Sequence, residues 1–366
     1  MGCSESQPRD LQCLSYYAVD PYLSGDLRPT RICVIQCGPQ MRENQRIANF
    51  QMRPKSSCAL TFILVNFKTP KQVRYCLQSL RPFQDELNCE FILVDNSPPD
   101  GSLYLADAGL ADVQIISNSR NLGYATACNQ GLRASRAPYV FFLNPDTEYI
   151  SGSARELIEW LDRNPAVALV GPRILNPDGT RQFSARSFPD WTTPFSHRHS
   201  LLTRVLPNNP FTRRYLRADL DGKPTRVDWA AGCCLLARKK ALEEVGGFDE
   251  GYFLFFEDVD LAYRLKARGL NCVYYPGKTF SHTIGASRAH LRDLGATAKH
   301  FSATRYFTKN VIRNKFLADL FAVGVSLRCL ISTIYHLYWP GQSLAPSRDD
   351  YPSASGFSPP FLDRVE

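Results

Sequence analysis

The chain has 366 residues, 44% hydrophobic and 21% charged, with a formal net charge of +8. That balance suits one large or two modest globular domains and excludes a fibrous or wholly disordered chain. Twelve cysteines, at positions 3, 13, 33, 37, 58, 76, 89, 128, 233, 234, 272 and 329, form no CxxC pair and no zinc spacing; with no recognisable secretory signal, they point to free thiols in a reducing, cytosolic compartment.

Residues 1–57 show no sustained period, so a loose lead-in is expected there. Its first residues, "MGCSES", fit the N-myristoylation pattern, with Cys3 available for palmitate. Order is expected from "ALTFILVNF" (Ala59–Phe67), a continuous apolar run of strand length that reads as a buried parallel strand. "KQVRYCLQSL" has helical spacing at Val73, Cys76, Leu77 and Leu80. "EFILVDNS" (Glu90–Ser97) and "VQIISNS" (Val113–Ser119) are further strands. "YATACNQGLRAS" (Tyr124–Ser135) is a helix of small residues, and "YVFFLNPDTEY" (Tyr139–Tyr149) a fourth strand. Strands alternating with helices imply an open α/β sheet, which binds ligands beyond the carboxyl ends of its strands. Those ends carry Asn66, Asp95, Asn96, Asn144 and Asp146.

Beyond residue 150 the pattern changes. "RELIEWLDRNP" is helical and "VALVGPRILNPDGT" is a strand followed by a turn. Residues 183–226, rich in Arg, Pro and aromatics, resist assignment. "VDWAAGCCLLARKKALEEVGGFDE" (Val227–Glu250) reads as strand then helix, and "LNCVYYPGKTFSHTIGAS" as strand, turn, strand. Leu261 and Leu265, four apart before Gly269, mark a helix from about Asp258 to Arg268. From about Phe316 an apolar helix is broken by Asp319 and Arg328, too interrupted to span a bilayer and suited to an interfacial or packed position. The tail from Pro340 has a disordered composition.

Two basic stretches stand out: Arg198, Arg204, Arg213, Arg214 and Arg217, and Arg288, Arg292, Lys299, Arg305, Lys309, Arg313 and Lys315. Each is either a solvated face or a surface for phosphate-bearing partners such as nucleotides or anionic lipid. No recognised nucleic-acid-binding module accompanies them, so nucleic acid is not an expected partner.

The stretch "FFEDVDLAYRL" (Phe255–Leu265) sets Glu257, Asp258 and Asp260 beside residues that normally pack in a core. A helix N-terminus favours acids, and Asp260 with Arg264, four apart, reads as a surface pair. Glu257 and Asp258, following the aromatic "GYFLFF", read as capping or catalytic groups.

Taken in order, "VDNS", "NLGYATACNQG", "NPDT" and "FFEDVDL" resemble the family 2 glycosyltransferases, especially the bacterial rhamnosyltransferase-like branch, and the likeness covers about Ala59 to Asn310. "GPRILNPDGT" and "SHTIGAS" are similar to that branch as well. The resemblance implies an α/β GT-A fold, a Rossmann-like mixed sheet flanked by helices, with a C-terminal helical extension. The domain plan is then a lead-in over 1–57 and a catalytic domain over 58–310, with a nucleotide-binding half to about 150 and an acceptor half beyond. A basic, apolar helical segment over 311–339 and a tail over 340–366 complete it.

The resemblance also implies roles. The donor is a nucleotide-diphosphate sugar, with rhamnose from thymidine diphosphate the branch's commonest association, and the acceptor a glycan or lipid-linked sugar in cell-surface polysaccharide synthesis. The enzyme would work at the cytoplasmic face of a membrane, in peripheral contact with it. Asn66, Phe67, Asp95, Asn121, Gly123, Asn129 and Asn144 fall at nucleotide-binding positions. "NPDT" resembles the family's DxD metal site, with Asn144 at the first acid's place and Asp146 at the second; Asp146 alternatively shapes the turn after Pro145. His282 matches a histidine that ligates the divalent cation, Mg²⁺ or Mn²⁺, in some relatives, or is structural. Asp258 matches the general base, with Glu257 as the alternative or as an acceptor-orienting group. Trp229 is an acceptor wall or a core residue. A glycoside hydrolase, a nucleotidyltransferase and a non-catalytic nucleotide-sugar-binding protein are the competing readings. The first leaves Asp95 and "NPDT" idle, and the second usually needs a Gly-rich loop that "VNFKTPKQ" lacks.

Overall fold

The structure is a computed structural model that describes residues 13–18, 30–36, 58–97, 113–190, 192–193, 202, 205–206, 209–217, 219–220, 222–283 and 292–338. "MGCSES", Arg198, Arg204, Arg288 and the tail from Pro340 lie outside the described residues.

One eleven-stranded mixed sheet organises the chain. Its parallel half comprises β2 (Thr30–Gln36), β3 (Leu60–Asn66), β4 (Cys89–Asp95), β5 (Val113–Ser117) and β6 (Tyr139–Leu143), in the order β2-β5-β4-β3-β6. Every residue of β3 is buried, as its unbroken apolar run requires. Phe62 stacks on Phe91 and Phe141 from the neighbouring strands, and Phe83 meets it edge-on. β1 (Cys13–Ala18) pairs antiparallel with β2. Within residues 1–57 these two strands are the described elements, and β2 covers the edge of β5.

Helices α1 (Pro70–Ser79), α2 (Arg81–Glu86) and α3 (Tyr124–Ala134) connect the parallel strands. The small side chains of α3 let it sit directly on β3. A β-carbon at Gly131 would fall 2.4 Å from Ile63 Cγ2, so glycine is required at that crossing. This seats the N-terminus of α3 at the carboxyl ends of the strands.

The second half joins the same sheet at β6. β12 (Cys234–Arg238) pairs antiparallel with β6 and with β8 (Val167–Leu175). β13 (Asn271–His282) runs parallel to β8 and carries β10 (Thr225–Val227) and β7 (Thr147–Ser151) as antiparallel partners. β9 (Ala185–Arg186) and β11 (Trp229–Ala230) form a separate small ladder. The remaining helices are α4 (Ala154–Asp162), α5 (Pro210–Tyr215), α6 (Lys239–Glu244), α7 (Glu257–Ala267), α8 (Arg292–Tyr306), a π-helical turn at Phe307–Val311, and α9 (Lys315–Tyr338).

Two sequence expectations are corrected. The run Tyr139–Tyr149 is two strands, β6 and β7, because Pro145 has no N–H for a ladder and Asn144–Asp146 turn instead. "PG" at Pro276 and Gly277, read as a turn, is absorbed within one strand, β13, as a register shift against β8 between Tyr275 and Thr279. Because β13 continues through it, His282 reaches the turn that carries Asp146.

Candidate active site

A cavity of about 270 Å³ opens where the carboxyl ends of β3, β4 and β6 face the second half of the chain. Phe67, Asn96, Asn121, Gly123, Asn144 and Asp146 line it from the first half; Glu257, Asp258 and His282 line it from the second. The fold thus brings nine residues singled out on sequence grounds to one wall-to-wall space.

Asn66 and Asp95 sit just beneath it. Asn66 is 1% exposed and outside the cavity lining. Its Nδ2 donates to Asp95 Oδ1 at 2.9 Å, and its Oδ1 accepts from Thr69 N at 3.1 Å, where α1 begins. Asp95 Oδ1 also accepts from Ser97 N at 3.0 Å. Asn66 therefore anchors Asp95 rather than facing the cavity itself. Asn96 does face it: its Nδ2 donates to Gly123 O at 3.0 Å while its Oδ1 accepts from Asn118 Nδ2 at 2.8 Å.

Gly123 is required twice over. Its φ of +88° is left-handed, and a β-carbon there would lie 2.7 Å from Phe253 O. Tyr124 N then donates to that same carbonyl at 2.7 Å, tying α3 to the loop that precedes the acid pair. Asn129 stands apart from the cavity, against expectation. Its side chain accepts from Phe248 N and donates to Phe248 O, both at 2.9 Å, so it staples α3 to the 248–250 loop.

The acid pair opens α7 after two strained residues. Phe255 and Phe256 hold φ of 69° and 65°, a region costing roughly 1–3 kcal/mol each for residues with a β-carbon. Ser302 of α8 donates to Leu254 O at 2.8 Å, and Phe256 packs 5.5 Å from Tyr306. Aromatic "GYFLFF" is thus the packed support that holds this turn. Asp258 Oδ2 accepts from Gly232 N and Oδ1 from Val259 N, each at 2.8 Å. Glu257 is only 5% exposed, and its Oε2 has no hydrogen-bond partner.

These surroundings separate the two carboxyls. Burial, then the adjacent Asp258 charge, push Glu257 well above its ordinary value. Burial also raises Asp258, but the N–H groups of Gly232 and Val259 and the charge of Arg186 oppose it. Asp258 is the member of the pair whose ionised form finds support; Glu257 is the one whose ionised form its surroundings oppose.

Asp260 belongs to neither role. The expected surface pair with Arg264 exists, with Arg264 Nε 2.7 Å from Asp260 Oδ2, but Asp260 is 0% exposed. Its Oδ1 also accepts from Lys309 Nζ at 2.8 Å and Asn310 Nδ2 at 3.1 Å. The C-terminal helices cover the helix face that would otherwise be solvated.

Asp146 Oδ1 lies 3.2 Å from His282 Nε2, close enough for an ion pair but outside hydrogen-bond geometry, and is left without a hydrogen-bond partner. His282 Nδ1 is 2.9 Å from Gln182 Oε1. Burial alone would lower the His282 pKa; Cys233 and Asp146 beside it outweigh burial and raise it to about 10. Left to themselves the two groups form an ion pair with the ring protonated; a cation would have to displace that proton, and Asp146 Oδ1 and His282 Nε2 are then the donors the chain offers it. Among the described residues no group of three or more His, Cys, Asp or Glu is arranged to hold one, so a ligand's own oxygens would have to complete the shell.

Trp229 is 7% exposed and lies in the core, outside the cavity lining; its Nε1 donates to Ser187 O at 2.8 Å. The residue facing the cavity is Arg186, whose guanidinium sits 5.4 Å over the Trp229 ring. Arg186 and Ser184 were not legible as site residues, because residues 183–226 carry no regular period, and Gln182 lies just before that stretch with no motif to mark it. The only signal was polar residues at every second position in "QFSAR".

The Glycosyl transferase family 2 model matches residues 61–246, about half of the chain. An N-acetylglucosaminyl-diphospho-decaprenol L-rhamnosyltransferase of Mycobacterium tuberculosis is 36% identical over 202 residues, 52% of this chain and 65% of that relative. A low-salt glycan biosynthesis hexosyltransferase, Agl10, of Haloferax volcanii is 27% identical over 216 residues, 58% of this chain and 63% of its own. The chain therefore spans just under two thirds of these curated relatives. A GalNAc-T7 crystal structure with UDP, GalNAc and Mn²⁺ aligns over 80% of this chain and 60% of its own at 15% identity, with a TM-score of 0.47, too loose an overlap to carry any inference about the site.

Proposed function

The chain belongs to glycosyl transferase family 2, and from that premise we propose that it is an inverting transferase. It moves a sugar from a nucleoside-diphosphate sugar to a glycan or lipid-linked acceptor in cell-surface polysaccharide synthesis. The observation that carries this reading is the convergence of Asn96, Asn144 and Asp146 with Glu257 and Asp258 on one cavity. Rhamnose is the sugar it favours, supported by the 36% identical relative.

The nucleoside lies against Phe67, Asn96, Asn121 and Gly123, with Asp95 held below them by Asn66. Asp146 and His282 are the residues that would hold a divalent cation, Mg²⁺ or Mn²⁺, which when bound offsets the charge that builds on the departing diphosphate. Asp258 accepts the acceptor hydroxyl proton as that oxygen attacks the anomeric carbon and the bond to the diphosphate breaks. Protonated Glu257 donates a hydrogen bond that orients the acceptor. Phe253, Leu254 and Phe255 form an apolar wall beside the base.

Substituting Asp146 by Ala tests the reading. Calorimetry with a nucleoside diphosphate and with the nucleoside alone, with and without Mn²⁺, should show a loss confined to the diphosphate. Equal losses for both ligands would mean that Asp146 only shapes the turn.

α9 suits an anionic membrane surface. One face, with Ala318 and Phe321, packs inward, while Phe316, Leu320, Val323 and Leu327 are exposed, the first by 74%. Exposed Arg313 and Lys315 precede this stripe. Among the described residues no helix is long and apolar enough to cross a membrane, so an interfacial position is the one the stripe fits.

A further inference from the structure

Gln182, Ser184 and Arg186, two apart in sequence, all line the cavity. Gln182 is occupied with His282. Ser184 Oγ is buried and has no hydrogen-bond partner, a state that destabilises the fold unless something fills it. Arg186 Nε donates to Phe183 O at 2.8 Å, and the Tyr215 hydroxyl bonds the same side chain. Among the described residues no carboxylate lies within ion-pair distance of its guanidinium.

The two groups are placed together by the β9–β11 ladder, where Arg186 is in register with Trp229. Ala231 N bonds Ser184 O at 2.8 Å, and the next residue, Gly232, bonds Asp258. The Arg186 charge is felt at Asp258. The guanidinium, without a carboxylate partner among the described residues, and the orphaned hydroxyl therefore sit on the base's side of the cavity, whereas Asp146 and His282 serve the donor.

We propose that Ser184 and Arg186 form an anion subsite for a phosphate or diphosphate carried by the acceptor. This rests on the reading of the cavity as a sugar-transfer site, and it narrows the acceptor to a phospholipid-linked sugar rather than a neutral glycan. A guanidinium presents paired N–H donors that match phosphate oxygens, and the Trp229 ring beneath it fixes its plane. The Ser184 hydroxyl supplies a further donor. Phosphate bound there holds the attached sugar's hydroxyl within reach of Asp258.

The test is calorimetry on the full chain, saturated with a nucleoside diphosphate and Mn²⁺ so that the donor's phosphate site is filled. Geranyl diphosphate, geraniol and inorganic pyrophosphate are the probes. Geranyl diphosphate should bind and geraniol should not; pyrophosphate binding as tightly as geranyl diphosphate would overturn the lipid-linked source. Arg186→Gln should weaken geranyl diphosphate by about 10- to 100-fold, the loss of charge-assisted hydrogen bonds. Arg186→Lys should recover part of it, and Ser184→Ala should weaken it several-fold. Nucleoside-diphosphate affinity should be the same in every variant. An equal loss of nucleoside-diphosphate affinity in Arg186→Gln would assign the guanidinium to the donor and overturn the subsite. If Arg186→Gln fails to fold, unchanged geranyl-diphosphate affinity in both Arg186→Lys and Ser184→Ala would overturn it equally. A wild-type chain that binds nucleoside diphosphate but not geranyl diphosphate refutes this subsite alone, whereas one that binds neither refutes the transferase reading itself.

Discussion

Three acids within one helical turn do three different things because each meets a different environment. Asp258 is held by two backbone N–H groups, Glu257 by none at Oε2, and Asp260 by two cations on the far side of the helix. Asp258→Asn should therefore leave donor binding intact and cut single-turnover transfer by roughly ~10²–10⁴-fold, the usual size of a lost general base. Glu257→Gln should cost less, since an amide still donates. It should also raise the melting temperature at neutral pH. The sign follows from the raised Glu257 pKa. Stability from this group is fully present below the ordinary carboxylate value and is lost as pH rises toward the folded-state value. The gain on substitution should thus vanish in acid. Asp260→Asn should leave turnover per folded molecule unchanged but destabilise the fold by about 2 kcal/mol, since Arg264 and Lys309 both lose a charged partner while Lys309 keeps Asp249 and Arg264 keeps the Val245 and Gly247 carbonyls. Both cations are partly exposed, which keeps the figure at the low end. If Asp260→Asn is instead the slowest folded variant, the base is misassigned.

Helix α7, which carries the acid pair, is held in place by elements that follow it in the chain. Asp249, in the loop before α7, accepts from Arg305 Nη2 at 2.9 Å and from Lys309 Nζ at 2.8 Å, and Lys309 bridges on to Asp260. Arg305 ends α8 and Lys309 lies in the π-helical turn, an irregularity that aims its side chain between two acids. Burial alone would raise the Asp249 pKa; Lys309, the Gly251 N–H and Arg305 outweigh it and hold the group at about 2. A depressed carboxyl contributes stability above its ordinary pKa and loses it as pH falls toward the folded value. Asp249→Asn should therefore lower stability by about 1 kcal/mol at pH 7, after discounting for solvent screening. The difference from wild type should close between about pH 4 and pH 2. Urea melts across that window measure it, and a constant difference down to pH 2 would remove this clamp from the account.

At the scale of the whole molecule, one sheet spans both halves, so the strand-end wall of the cavity and the loop and helix carrying the acid pair share one framework. The C-terminal helices join that frame through the Lys309 bridge while leaving an apolar stripe outward. The full chain should co-sediment with anionic liposomes and lose that binding in high salt. Charged substitutions on the stripe, Leu320→Glu with Val323→Glu, should cut binding at least ~10-fold by removing two apolar side chains from the interface. They should leave the fold intact, because both positions are exposed. Undiminished binding in this variant would show that the stripe faces something other than lipid.

What the sequence determined by itself is what depends on local pattern. Continuous apolar runs gave the buried parallel strands, small residues gave the helix that sits on them, and the strand-end amides and acids marked the ligand edge. The four ordered motifs gave the family and the acid pair, since they lie close in sequence to the backbone features that position them. What only the tertiary structure decided depends on distant partners. Asn129 and Trp229 carry suitable chemistry but turn inward, because Phe248 and Ser187 offer them backbone partners that no spacing reveals. Asp260 looked like half of a surface pair until residues 49 and 50 positions later covered it. Arg186 and Ser184 lie in a stretch without period, and they reach the cavity only because a two-residue ladder sets them beside Trp229 and Ala230. Periodicity reports which face of an element is buried; which polar group is satisfied, and which is left facing the cavity, is fixed by contacts between segments far apart in the chain.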